Sequence, residues 1–156
     1  MKKNNLLIYV KGYYPAVGFG GPRKSIKNLV DTLFHLSNIS LITTNHNKDG
    51  SVIFRKNYIF EDSRMRVYYL NKNLFYFIKF LRKLHIERPN YIYFNSFFEP
   101  LPLVLALIYS RLYSSKIIIA PRGQLHKNAL KYKKYKKRLF LIIIRHLLSN
   151  RITFQA

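Results

Sequence analysis

Arg122 has the means to hold an anion because of what surrounds it. Lys116-Ile-Ile-Ile-Ala120 is a short apolar, β-branched run, and Pro121-Arg122-Gly123 breaks it. A guanidinium held at the end of such a strand suits a phosphate or carboxylate in bidentate geometry. Gly123 beside it is a candidate substrate contact, and His126 close by is a candidate acid or base. Two plainer alternatives stay open. One is an ordinary strand-to-helix turn with a solvated arginine; the other is a histidine that caps a helix or sits on the surface.

Gly18-Phe-Gly-Gly-Pro-Arg-Lys-Ser25 has the glycine density of a loop that brings backbone N–H groups to an anion at a helix start. It matches neither standard phosphate loop. The dinucleotide fingerprint needs glycine where Arg23 stands, a Walker loop needs glycine directly before Lys24, and Pro22 removes one N–H. Gly20, Gly21 and Arg23 are the candidate contacts to an anion or sugar; the alternative is a turn that only caps the helix. Asn95, in the loop Asn95-Ser-Phe-Phe98, is a further candidate substrate-binding group. With no cysteine, and five scattered histidines without a His-x-x-x-His pair, no thiolate site and no zinc site are expected.

Charge narrows the partners. The chain has 156 residues, enough for one compact domain, and 28 Lys and Arg against 6 Asp and Glu give a formal charge of +22. Nucleic acid, anionic lipid and phosphorylated small molecules are the polyanions that would relieve the repulsion. From Leu125 to Leu147 the pattern predicts one long helix with a stripe of Leu125, Ala129, Tyr132, Leu139, Ile143 and Leu147 opposite Lys127, Lys131, Lys134, Arg138 and Arg145. Lys127, Lys131, Lys133, Lys134, Lys137 and Arg138 are the expected contacts to an anionic membrane, each contributing ~1 kcal/mol near the surface; the plainer alternative is a solvated charged face. Lys79, Arg82 and Lys83 are expected to extend the same patch. Tyr132-Lys-Lys-Tyr135 interleaves aromatic and basic residues as single-strand binders do, but no RNA-binding signature accompanies it, so nucleic acid is not the expected partner. No stretch reaches the ~20 apolar residues that span a bilayer, and the N-terminal apolar run is too short for a secretory signal. The chain is expected to lie on a membrane and not to cross it, and the absence of cysteine is compatible with the cytosol.

The elements that must position these residues alternate. Leu6 to Val10, Ile39 to Thr43, Arg66 to Leu70, Tyr91 to Phe94 and Lys116 to Ala120 read as strands. Helices are predicted from about Pro22 to Leu36, from about Leu74 to Glu87 with Leu74, Ile78, Leu81 and His85 on its inner side, and from Glu99-Pro100 to Tyr113. Val52-Ile-Phe54 and Tyr58-Ile-Phe60 form a small hairpin or an irregular excursion, and Arg151 opens a sixth strand. This alternation predicts an α/β fold with a doubly wound, mainly parallel sheet, whose ligands bind beyond the carboxyl ends of the strands. Gly12 to Arg23, Asn95 to Glu99 and Pro121 to His126 then share one rim.

Gly20-Gly-Pro-Arg-Lys-Ser-Ile-Lys-Asn-Leu-Val30 after the first strand, and Ile118-Ile-Ala-Pro-Arg-Gly-Gln-Leu125 with Ala129-Leu130 and Lys136-Lys137, resemble the N-terminal half of family 4 glycosyltransferases, in particular bacterial enzymes of surface-polysaccharide assembly. The likeness runs from the first strand to Ala156. It implies a single Rossmann-like domain, the acceptor side of a two-domain GT-B enzyme that is retaining and metal-independent. It also implies no cofactor, a UDP- or GDP-sugar as co-substrate, and a lipid-linked saccharide acceptor at the cytoplasmic leaflet. The loop at Gly20 and Gly21 would approach the donor phosphates. Many relatives carry a histidine on the loop after the fourth or fifth strand, where this chain offers Asn95 and Arg122. The donor-binding domain with its paired glutamates is absent, so the chain is expected to be incomplete and inactive alone, as a truncated product, one half of a split enzyme with a separate donor-binding domain, or an independent binding module.

Overall fold

The computed structural model describes residues 3–71, 75–126, 134–147 and 152–155. The chain forms β1 (Asn4–Tyr9), α1 (Gly21–Leu33), β2 (Ser37–Thr44), β3 (Tyr58–Glu61), β4 (Met65–Leu70), α2 (Tyr76–Glu87), β5 (Tyr91–Phe94), α3 (Pro100–Tyr113), β6 (Lys116–Ile119), α4 (Lys134–Leu147) and β7 (Ile152–Phe154). The strands make one seven-stranded sheet in the order β3-β4-β2-β1-β5-β6-β7. Every neighbouring pair is parallel except β3 with β4. The fold is therefore the expected Rossmann-like α/β arrangement. The chain winds from β1 toward β2 and β4, then crosses back to β5, so the gap between β1 and β5 is the topological switch point.

Helices cover both faces, which is why β1 and β5 are apolar at successive positions and do not alternate. Leu6 and Ile8 pack with Ile26 and Val30 of α1 on one side. Leu7, Ile92, Phe94 and Ile117 pack on the other side with Phe80 and Leu84 of α2, Leu103 and Leu107 of α3, and Phe140 and Ile144 of α4. α3 lies between α2 and α4 in that layer. Pro22 sits in the first turn of α1, where its missing N–H costs nothing. The left-handed residues Arg88 and Ser114 cap α2 and α3 at their C-termini.

Several local expectations are corrected. α2 buries Tyr76, Phe80 and Leu84, and turns Ile78, Leu81 and His85 outward, while Leu74 lies outside the described residues. In α4 the buried residues are Phe140 and Ile144, while Leu139 and Ile143 are exposed, one residue out of phase with the predicted stripe. Both helices are apolar on more than one side, so packing against the sheet, and not the pattern, selects the inner face. Leu125 stands in a turn and not in a helix, and residues 127–133 of the predicted long helix lie outside the described residues. Tyr58–Glu61 pairs with β4, not with Val52–Phe54; Val52 makes a single bridge to His46. Asp62 closes the β3–β4 turn, its Oδ1 accepting the N–H groups of Arg64 at 2.8 Å and Met65 at 2.9 Å.

Candidate functional site

The parallel sheet delivers the loops after β1, β5 and β6 side by side at its C-terminal rim. Arg122 follows β6 in the left-handed region, with φ 50°, and Gly123 continues it at φ 72°. Arginine is held in that conformation by its side chain. Its Nε donates to Asn95 Oδ1 at 2.9 Å, its Nη2 donates to the Tyr93 hydroxyl at 3.2 Å, and that hydroxyl donates to Gln155 Oε1 at 2.9 Å. Asn95 sits at the switch point, its backbone N–H bonded to the Tyr9 carbonyl at 3.1 Å. Its side chain is 3% exposed and its Nδ2 is buried without a partner. That leaves both N–H donors of the side-chain amide unpaired at the place where ligands of such sheets bind.

Gln124 fastens the same two loops together. Its Oε1 accepts the N–H groups of Phe97 at 2.8 Å and Phe98 at 3.2 Å, and its Nε2 donates to Ser96 Oγ at 2.9 Å. The loop after β5 is thereby fixed relative to Arg122. A groove of about 390 Å³ opens beside them, lined by Pro121, Arg122, Gly123, Leu125, His126 and Gln155. His126 is exposed there, anchored through its backbone N–H to the Gly123 carbonyl at 3.1 Å.

The loop after β1 is shaped by packing. The ring of Phe19 fills the space where a Cβ on Gly12 would stand. Gly20 caps α1 with φ 59° and no side-chain cap, and a Cβ on Gly20 or Gly21 would meet nothing within 4 Å. The first turn of α1 is thus open to whatever approaches. Arg23 is turned the other way: its Nη1 donates to the Ala16 carbonyl at 2.5 Å and its guanidinium lies 5.0 Å from the Tyr14 ring centre. Arg23 therefore braces the loop from within.

Comparison with known proteins adds no relative. No family model and no curated protein matches the chain.

Across the sheet from Arg122, the Tyr9 and Tyr76 hydroxyls lie 3.2 Å apart, and Tyr9 donates to Glu99 Oε2 at 3.5 Å. Burial, reinforced by Tyr76 and Glu99, pushes the Tyr9 phenol well above its ordinary pKa. Tyr93, Gln124 and the Tyr9–Tyr76–Glu99 group were not singled out from sequence. Tyr93 and Tyr9 read only as strand residues, and the one signal for Gln124 was its place directly after Arg122-Gly123.

Of the six acids, Asp31, Glu61, Asp62 and Glu87 lie at the opposite end of the sheet, paired with Lys27, Arg64 and Arg66. There Asp31 is held below its ordinary pKa chiefly by its bond from Lys27. Among the described residues no three His, Asp or Glu side chains gather as a metal site. The predicted lipid contacts separate: Lys137 rests over the Phe98 ring at 4.6 Å, Arg138 is exposed, and Lys127, Lys131 and Lys133 lie outside the described residues. Lys134 opens α4. The rim thus carries an arginine and an open helix start, with the unpaired Asn95 amide enclosed at the switch point, and the first two suit a phosphorylated or polyhydroxylated ligand.

Proposed function

We propose that the chain is the acceptor-side domain of a retaining, nucleotide-sugar-dependent glycosyltransferase that acts on a lipid-linked saccharide in surface-polysaccharide assembly. The observation that supports this reading is the pairing of Arg122 with Asn95 at the switch point, on the same sheet rim as the helix start left open by Gly20 and Gly21. In this reading Arg122 stabilises charge on the departing nucleotide diphosphate, and backbone N–H groups at Gly21 and Gly123 face its phosphates. The orphan Nδ2 of Asn95 donates to an acceptor hydroxyl, and His126 shuttles a proton at the groove edge. The donor sugar is bound mainly by a second domain.

The test supplies a donor-binding domain in trans together with the chain, a UDP- or GDP-sugar labelled in its sugar, and a membrane lipid extract. Label that enters lipid, and falls ~10²-fold or more with Arg122→Ala, supports the reading. Absence of transfer to every lipid-linked acceptor overturns it.

A further inference from the structure

The outer face of the α2–α3–α4 layer is unusually apolar for a surface in water. The central helix, α3, points Leu101, Ile108 and Leu112 away from the sheet, and Leu112 is 73% exposed. Alongside it α4 exposes Tyr135, Leu139 and Ile142 on the side opposite Phe140 and Ile144, and α2 exposes Ile78. Scattered exposed hydrophobics need no explanation, but apolar side chains turned outward on three neighbouring helices of one layer do.

Charge decides what covers it. Arg82 on α2, Arg111 on α3, and Arg138 and Arg145 on α4 are all exposed in the same layer. Arg111 also donates to the His146 carbonyl at 3.1 Å, linking α3 to α4. The one acid within these three helices, Glu87, is turned back to the sheet, where it accepts from Ser40 and Tyr68. The face therefore has an apolar centre, basic flanks and no outward carboxylate among the described residues, the pattern of a surface lying at a bilayer interface. A second copy of the same face would bring arginines against arginines.

We infer that this face docks on an anionic lipid bilayer, with apolar side chains of α3 and α4 entering the interface and the arginines of α2 and α4 meeting the headgroups. The inference locates the lipid contact on three helices, centred on α3, and it stands whether or not the chain takes part in sugar transfer. No described helix is long and apolar enough to cross the membrane, so the protein lies on it.

The chain contains no tryptophan, so Leu112→Trp gives a single emission probe on the face, at the C-terminal end of α3. The purified full chain is mixed with phosphatidylcholine vesicles with and without phosphatidylglycerol. The expected result is co-sedimentation with the anionic vesicles, a blue shift of the Trp emission, and quenching by brominated lipid. Arg138→Glu with Arg145→Glu is expected to weaken binding at least ~25-fold, about fivefold for each positive charge lost. Leu36→Glu, on an exposed residue between α1 and β2, is expected to leave binding unchanged. No sedimentation overturns the proposal. So does binding with an unshifted, unquenched probe, which would put the contact on basic residues elsewhere. A blue shift without vesicles, accompanied by dimer formation, overturns it in favour of self-association.

Discussion

Arg122 Nε donates to Asn95 Oδ1 at 2.9 Å, so the ends of β6 and β5 are joined by side chains at the switch point. Removing the arginine leaves a buried carbonyl oxygen unpaired beside an Nδ2 that already has no partner. Arg122→Ala is expected to cost about 1–3 kcal/mol in urea denaturation. Asn95→Ala combined with it should cost less than the sum of the two, with a coupling of at least about 0.5 kcal/mol. Arg122→Gly should be milder than the alanine by about 1 kcal/mol, because glycine adopts φ 50° without strain. Additive single and double variants would show that the pair is not an energetic unit.

Gln124 carries a separate prediction, because it pairs two backbone N–H groups and one hydroxyl of the neighbouring loop. Gln124→Ala frees the amides of Phe97 and Phe98, whose hydrogen exchange should accelerate while the amides of β1 and β2 keep their protection. Gln124→Glu retains an acceptor and should restore part of the protection. Exchange that rises equally across the sheet would indicate global destabilisation instead.

The strands were readable because each is a short apolar run ended by a breaker: Leu6 to Val10 before Lys11-Gly12, Tyr91 to Phe94 before Asn95, Ile117 to Ala120 before Pro121. Their alternation with helices carried the parallel sheet and the shared rim. Helical phase was not readable. Leu139, Phe140, Ile143 and Ile144 are equally apolar, and only contact with Phe97, Phe98 and the β6 side chains chooses Phe140 and Ile144 for the core. Side-chain direction was not readable either. Arg23 and Arg122 each adjoin a glycine-rich turn, yet one folds back on the Ala16 carbonyl and the other crosses to Asn95. Composition fixes their charge, while the carbonyls and amides left over by the backbone decide where that charge points.

Alkaline pH should unfold the protein through its tyrosines. Burial pushes the phenols of Tyr69 and Tyr76 up to about 12, and that of Tyr9 beyond the ordinary range. Raised phenol values mean that the folded state holds protons the unfolded chain releases near pH ~10. Their contribution is fully present below that pH and is lost as pH rises through the folded values, by up to about 1.4 kcal/mol per unit for each fully buried phenol. The urea midpoint should fall between pH ~10 and ~12, and phenolate absorbance should appear in two phases, the second coinciding with loss of helix signal. A single early phase with the fold intact would show these tyrosines to be accessible.

Gly21 offers the cleanest separation of fold from function. It lies at the start of α1 without the positive φ of Gly20, and a Cβ there meets nothing within 4 Å. Gly21→Ala should therefore fold normally, with a slight gain in stability of about 0.5–1 kcal/mol from the stiffer unfolded chain. Gly21→Val places two further carbons in the same open space, at the first turn of α1. If that turn meets the donor phosphates, Gly21→Val lowers transfer in the reconstituted assay by ~10-fold or more with an unchanged melting temperature, and Gly21→Ala has a smaller effect in the same direction. Unaltered transfer with valine at position 21 would mean that the turn only begins a helix, and the phosphates would have to be sought nearer Arg122.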